Sequence, residues 1–484
     1  MSSRRHWIII CAIIAAASVP FVFGGAAGAA IVLSQNFDSG SLDVAGSSVV
    51  TTTVTLDPRK TSPGTYGPNW WWSLYFRADG VQGLTPQFRI PYPIAGLRAA
   101  HRLVYSYDNV TWQYFNNGSV TGSGTSAVYN FSNSAAFTQN QVYVAIMPPY
   151  PISKTEALVA SVKGSPYVRP TISGDANLVI GHTLGTAGGG GYVDDLGRSV
   201  PALPVYGFKV TDSTITIPKT KIVVEAGNHS AESLSQYVLE GLVNWLIGPS
   251  PEAAALRRRA EFYFYPSSDP EGRYAGYYVS SPCNPDGNHN RMWFDTSLNP
   301  ELTIVEDAMR ADTGGSVTYF LDMHVDWNDS FMYGTTASLA SPFYQALRVR
   351  DAAYCTTSRV MDPNDEGYAQ SWAQLPTAQG GLAAVYACTP EFGQVHNNTP
   401  AFLLQRGQNF GLAFYDAMGT APLQDLRADF NNDSHVDGLD FLAWQSGYEP
   451  GVPGKTKPQG DANGDGFVDG LDFLVWQNAF GLEH

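Results

Sequence analysis

Between residues 31 and 147, apolar and polar positions alternate in short runs that Gly, Asn and Pro interrupt. The runs at 69–76, 87–91 and 102–107 read as short strands, and 87–91 shows the period of two that puts one strand face on a core and the other in water. Short strands separated by frequent turns predict an N-terminal antiparallel β-sandwich. Trp70, Trp71 and Trp72 are read as part of its core, with a sugar-binding platform as the alternative. After Tyr150 the period changes. Ile222-Val223-Val224-Glu225 reads as a buried strand, and Leu234, Val238, Leu242 and Leu246 then recur at helical spacing, which predicts a helix over 231–247. Further helices are predicted at 300–311, 342–353 and 401–418, and buried strands at 317–321 and 382–388. Such alternation predicts an α/β domain, a mixed sheet flanked by helices, with functional groups at strand ends and the loops after them.

The two ends of the chain differ from this body. Arg4 and Arg5, an apolar run from Trp7 to Phe23 and the small residues Ala27-Gly28-Ala29-Ala30 read as a cleaved export signal over 1–30. Ser3-Arg4-Arg5-His6-Trp7-Ile8 also has the pattern of a twin-arginine signal. A secreted or cell-surface location is therefore expected, with no membrane association after cleavage. Export removes Cys11 and leaves Cys283, Cys355 and Cys388, which permit one disulfide among them without choosing the pair. At the other end, Asp429 to Gln445 returns 32 positions later as Asp461 to Gln477, across a Gly/Pro/Lys-rich linker. The expected map is a signal at 1–30, a sandwich at 31–147, an α/β domain at 148–420 and a small α-helical repeat module at 425–484.

Charge localises to that module. Residues 425–484 carry 11 acidic and three basic residues, eight of the chain's 15 excess negative charges, and so read as a cation binder. The overall acidity argues against capture of nucleic acid, which needs basic patches.

Gly227-Asn228-His229-Ser230-Ala231-Glu232 falls where a strand turns into a helix, so His229 and Glu232 project to one side. Asp322-Met323-His324 follows another apolar strand and offers a third ligand at the same sheet edge. Three N/O ligands leave zinc an open position, the arrangement of a catalytic rather than a structural site. Glu391, at the end of a strand, supplies a candidate general base, and Asn290-Arg291 offers donors suited to a carboxylate.

These segments, together with Glu240-Gly241-Leu242, Asp269-Pro270-Glu271-Gly272, Asn290-Arg291-Met292-Trp293, Phe331-Met332-Tyr333-Gly334 and Thr389-Pro390-Glu391, occur in an order that resembles the zinc metallocarboxypeptidases. The resemblance spans roughly residues 40–418 and is strongest to the cytosolic carboxypeptidase branch and its bacterial relatives, which also carry a β-sandwich before the catalytic domain. It implies that His229, Glu232 and His324 hold one zinc ion. It also implies that Glu391 is the general base and that Asn290 and Arg291 grip the substrate's terminal carboxylate. Two positions depart from the family pattern: Val279 stands where the family has an oxyanion-stabilising arginine, with Arg273 a substitute if it reaches in, and Asn288 stands where an acid orients a zinc-ligating histidine.

In the tail, oxygen-bearing side chains occupy positions 1, 3, 5, 9 and 12 of two twelve-residue loops. They are Asp429, Asn431, Asp433, Asp437 and Asp440, then Asp461, Asn463, Asp465, Asp469 and Asp472, with the His435 and Phe467 carbonyls at position 7. This spacing wraps oxygens around Ca²⁺, one ion per loop. Position 6 is Gly466 in the second loop and Ser434 in the first. Two such loops, each followed by a helix, resemble the type I dockerin module, which implies attachment to a cohesin-like partner.

The expected protein is thus a secreted, tethered zinc carboxypeptidase that releases C-terminal amino acids from peptides or proteins. The alternatives are a weakly active or inactive peptide-binding module of the same fold, and a zinc amidohydrolase acting on N-acyl amino acids.

Overall fold

The computed structural model describes residues 30–60, 71–92, 97, 101–185, 193–216, 218–282, 284, 287–294, 299–326, 330–354, 357–361, 367–394, 398–418, 426–433 and 435–480. The predicted signal up to residue 29, Cys283 and Cys355 lie outside them. Cys388 is a buried free thiol.

The N-terminal region forms two five-stranded sheets. Phe76 and Val144 of one sheet meet Phe88 and Phe131 of the other in a shared core, with the Phe76 and Phe88 rings 6.0 Å apart. Most pairs are antiparallel, as expected, but Thr53–Thr55 runs parallel to Gln87–Pro91. Of the strand expected at 69–76, Asn69 and Trp70 lie outside the described residues, Trp71 to Leu74 are not strand, and the strand starts at Tyr75. Trp71 and Trp72 are nonetheless buried, in keeping with the core reading.

A mixed eight-stranded sheet follows. Its strands are β1 (Val168–Pro170), β2 (Phe208–Val210), β3 (Thr220–Ala226), β4 (Ala260–Tyr265), β5 (Tyr319–Met323), β6 (Phe331–Gly334), β7 (Ser358–Val360) and β8 (Tyr386–Glu391), in the order β1-β2-β4-β3-β5-β8-β6-β7. The central strands β4, β3, β5 and β8 are parallel, with Phe264, Val224, Leu321 and Cys388 level across them. Alternation along β3 divides the domain. Ile222 and Val224 face α1 (Ser233–Ile247), α4 (Pro342–Arg350) and α5 (Pro400–Ala417), whereas Val223 faces α3 (Pro300–Thr313). Burial on both faces explains why these strands read as continuous apolar runs.

Helix starts follow local chemistry. Asn299, Ser341 and Thr399 each accept a hydrogen bond from the backbone two residues into their helix, and Pro300, Pro342 and Pro400 follow them. A further helix, α2 (Pro251–Arg259), starts the same way from Ser250. The Glu240-Gly241-Leu242 motif has a packing reason: a Cβ on Gly241 would sit 2.1 Å from the Leu404 carbonyl, and one on Gly407 2.1 Å from the Val238 carbonyl. α1 and α5 therefore cross backbone to backbone. Leu242 is fully buried beside that crossing, and its replacement by Ala would cost about 2–5 kcal/mol.

One apolar cluster runs without a break from the sandwich into the α1/α4/α5 side of the sheet. Ser233 Oγ and Tyr237 Oη donate to the Pro148 and Pro149 carbonyls across this junction, each at 2.8 Å.

The tail contains helices α6 (Gly438–Gly447) and α7 (Gly470–Ala479). Trp444 Nε1 donates to the Asp469 carbonyl and Trp476 Nε1 to the Asp437 carbonyl, both at 3.0 Å, so each repeat clasps the other.

Candidate metal-dependent active site

Because β3 and β5 are parallel, with Ala226 opposite Met323, the residues that follow both strands emerge side by side. Gly227, at φ +80°, turns the chain off β3. His229 and Glu232 are joined by a turn, Glu232 N to His229 O at 3.2 Å, rather than by a first helical turn, because α1 starts only at Ser233. Glu232 stands at the N-cap of α1 but makes no cap bond with its side chain. Its carboxylate is directed at two histidines instead. Oε1 lies 2.8 Å from His229 Nδ1, and Oε2 lies 2.8 Å from His324 Nδ1. The two imidazoles stand edge to face, 4.7 Å between centres.

The far side of each ring is also held. His229 Nε2 is 3.0 Å from Asn288 Oδ1, and His324 Nε2 is 2.7 Å from Asp322 Oδ1. Two Nδ1 atoms and a carboxylate thus converge on one point while outer partners fix the rings, a donor set that fits a zinc ion. Burial alone would raise the Glu232 pKa, but His229 and His324 outweigh it and hold the group at about 2. Burial would lower His324, yet Asp322 and Glu232 hold it well above the usual imidazole value.

Glu391, at the end of β8, is tied to the same edge. His324 N donates to the Pro390 carbonyl at 2.9 Å, and Phe392 N donates to the His324 carbonyl at 3.1 Å. Burial pushes the Glu391 carboxyl well above its ordinary range, with the nearby His324 opposing the shift. All four groups line a cavity of about 360 Å³, which also takes Asn290, Arg291, Asp326 and an aromatic wall of Trp72, Tyr278, Tyr333 and Tyr368. Trp72 comes from the sandwich and packs 4.9 Å from the Tyr278 ring. That volume is in the range of small-ligand pockets.

The Asn290-Arg291 pair divides. Asn290 is buried, its amide nitrogen 3.2 Å from His324 Nε2 and its oxygen accepting from Ala369 N at 3.0 Å. Arg291 is exposed, its guanidinium stacked 3.9 Å over Tyr368. Val279 is fully buried in the core. Arg273 does not replace the missing arginine: it is buried, donates to the Tyr150 carbonyl at 2.9 Å and is absent from the cavity lining. Sequence reasoning missed the contribution of Trp72 and Tyr368 to this wall, since nothing local ties a sandwich tryptophan or a loop tyrosine to the His229 cluster.

In the tail, Asp429, Asp433 and Asp440 approach one another closely enough to share a cation. Asp440 Oδ1 accepts from Phe430 N at 2.7 Å and Asp472 Oδ1 from Ala462 N at 2.9 Å, which closes both loops alike.

The fold and this cluster define a zinc carboxypeptidase-like protein with a dockerin-like tail. Residues 192–360 match the zinc carboxypeptidase family model, and residues 427–481 match the dockerin type I domain model. Human cytosolic carboxypeptidase 6 is 32% identical over 136 residues, 25% of this chain and 27% of that protein. Mouse cytosolic carboxypeptidase 6 is 31% identical over the same length, 25% of each chain. The chain thus spans about a quarter of the length of these curated relatives. A metallo-carboxypeptidase from Burkholderia cenocepacia superposes with a TM-score of 0.62 at 22% identity, over 80% of this chain and 98% of that one. A metallo-carboxypeptidase from Pseudomonas aeruginosa, in complex with (2-guanidinoethylmercapto)succinic acid, gives 0.58 at 18%, over 79% and 98%. At these identities the likeness is one of fold.

Proposed function

We propose that the protein is a secreted zinc carboxypeptidase that removes C-terminal amino acids from peptides or proteins, tethered through its tail to a cohesin-like partner. The observation that carries this reading is the convergence of His229 Nδ1, His324 Nδ1 and both Glu232 oxygens, with Glu391 and Arg291 lining the same cavity. A zinc ion held by His229, Glu232 and His324 supplies Lewis acidity toward the scissile carbonyl and makes water more acidic there. Glu391 takes a proton from the attacking water and delivers it to the leaving amine, and its burial suits a group that must carry that proton. Arg291 binds the free carboxylate, which favours substrates ending in one. Asn290 lines the same wall, its amide oxygen held by Ala369 N. With Val279 in the core, Arg291 is the one guanidinium among the described lining residues, and it serves both recognition and oxyanion charge. The export signal read in the sequence and the dockerin-like tail support an extracellular setting for this chemistry.

The test is metal content of the mature protein, paired with release of C-terminal residues from a mixed peptide library. Zinc at the His229 cluster with release lost on chelation is the expected result. Zinc without release from peptides, but with hydrolysis of N-acyl amino acids, would move the assignment to an amidohydrolase; absence of zinc would overturn it.

A further inference from the structure

A second group of potential ligands lies outside the cavity. Asp269 caps the short helix Pro270–Ala275, His289 opens the turn His289–Arg291, and Glu301 sits in the first turn of α3. None is more than 1% exposed, and one donor atom from each lies within 4.8 Å of the others.

The histidine sets this cluster apart from an ordinary acidic pair. Its backbone is pinned, His289 N to Val279 O at 2.9 Å. Its Nδ1 lies 3.2 Å from Asp269 Oδ2, yet the two make no aligned hydrogen bond, and Nε2 has no hydrogen-bond partner among the described residues. Fully buried polar atoms left in that state are uncommon and unfavourable. Two ligands held at roughly 2.0–2.1 Å on a tetrahedral ion stand about 3.3 Å apart, which matches the His289–Asp269 spacing. We propose that Asp269, His289 and Glu301 bind a second divalent transition-metal ion, zinc in the first instance, with a structural role. The charge states agree: burial lowers His289 to about 3, leaving a neutral imidazole with a lone pair to give, and raises Asp269 to about 7, so that the cluster keeps a proton when it lacks a cation. Arg273 offsets part of the Asp269 charge, and the ion satisfies the ring and the remaining negative charge together. With nitrogen and oxygen donors alone, the set suits zinc, manganese or iron(II). The bound ion fixes the turn that carries Asn288 against His229 and Arg291 into the cavity.

The experiment is a count of metals by mass spectrometry on the full mature chain, with calcium counted separately by element. Two transition-metal equivalents are expected in the unaltered protein. His324→Ala and Asp269→Asn should each remove one, and the pair both. Asp269→Asn is nearly isosteric, and His289→Ala provides a second reading if either variant folds poorly. A single equivalent that His324→Ala removes would overturn the proposal, as would two equivalents that survive both Asp269→Asn and His289→Ala. One equivalent that survives His324→Ala but is lost in Asp269→Asn would uphold this site while sinking the carboxypeptidase reading.

Discussion

The His229 cluster and the calcium loops solve one problem, bringing oxygen and nitrogen donors together, at opposite ranges in the sequence. His229 and His324 are 95 positions apart and meet only because β3 and β5 lie side by side in a finished sheet. In the tail, every donor of a loop falls within twelve residues, and the loop's own N–H groups orient the carboxylates, as Asp433 N does for Asp429 Oδ1 at 3.1 Å. The first kind of site is built by a core that stands without the ion. The second rests on a small core, a buried cluster of Ala428, Phe430, Val436, Ala462 and Ala479, so it is expected to depend far more on its ions.

The sharpest separation comes from Glu391→Gln, which should lower peptide release by about 10²–10⁴-fold while zinc content and circular dichroism stay as before. Loss of zinc in that variant would show that the cluster is not preformed. Calcium chelation should act in the opposite way: helical signal from α6 and α7 disappears in one step, and peptide release stays within about twofold, since the two regions share no ligand. If chelating calcium also stopped release, the contrast would fail. Asn288→Asp should tighten zinc by about 10–100-fold, the usual weight of an outer partner on a ligating histidine, read by competition with a chelator. The smallest effect belongs to Ser434→Gly. In the second loop Gly466 occupies position 6 at φ +83°, so glycine at the matching position should tighten the first loop by about fivefold, measured by calcium titration.

Much of this was legible in the chain, for identifiable reasons. Helices α3, α4 and α5 fall where helices are expected, within a few residues at their ends, and a cap residue followed by proline sets each start. The strand expected at 382–388 begins instead at Tyr386, because Ala383 takes a positive φ of 49° and the preceding segment turns rather than extends. The helix expected from 231 begins at 233 because Glu232 gives its carboxylate to the histidines. Candidate ligands carried by motifs are legible in the sequence, and His229, Glu232 and His324 do come together; neighbours without a motif are not legible. Nothing local marks His289 as facing Asp269 and Glu301, since three loops from different parts of the domain must be assembled before the three meet. Trp72 reads as core, with a sugar platform as the alternative; it is core, and it also walls the metal-site cavity, which neither reading anticipates.

The unbroken apolar cluster that joins the sandwich to α1 and α5 bears on how such chains can be recombined. A cut between them would expose oily surface on both products and strip Trp72 from the cavity, so any recombination should move the sandwich and the α/β domain together. The tail, with its own small core and clasped tryptophans, is the portion expected to move onto other cargo as a unit, together with its ions.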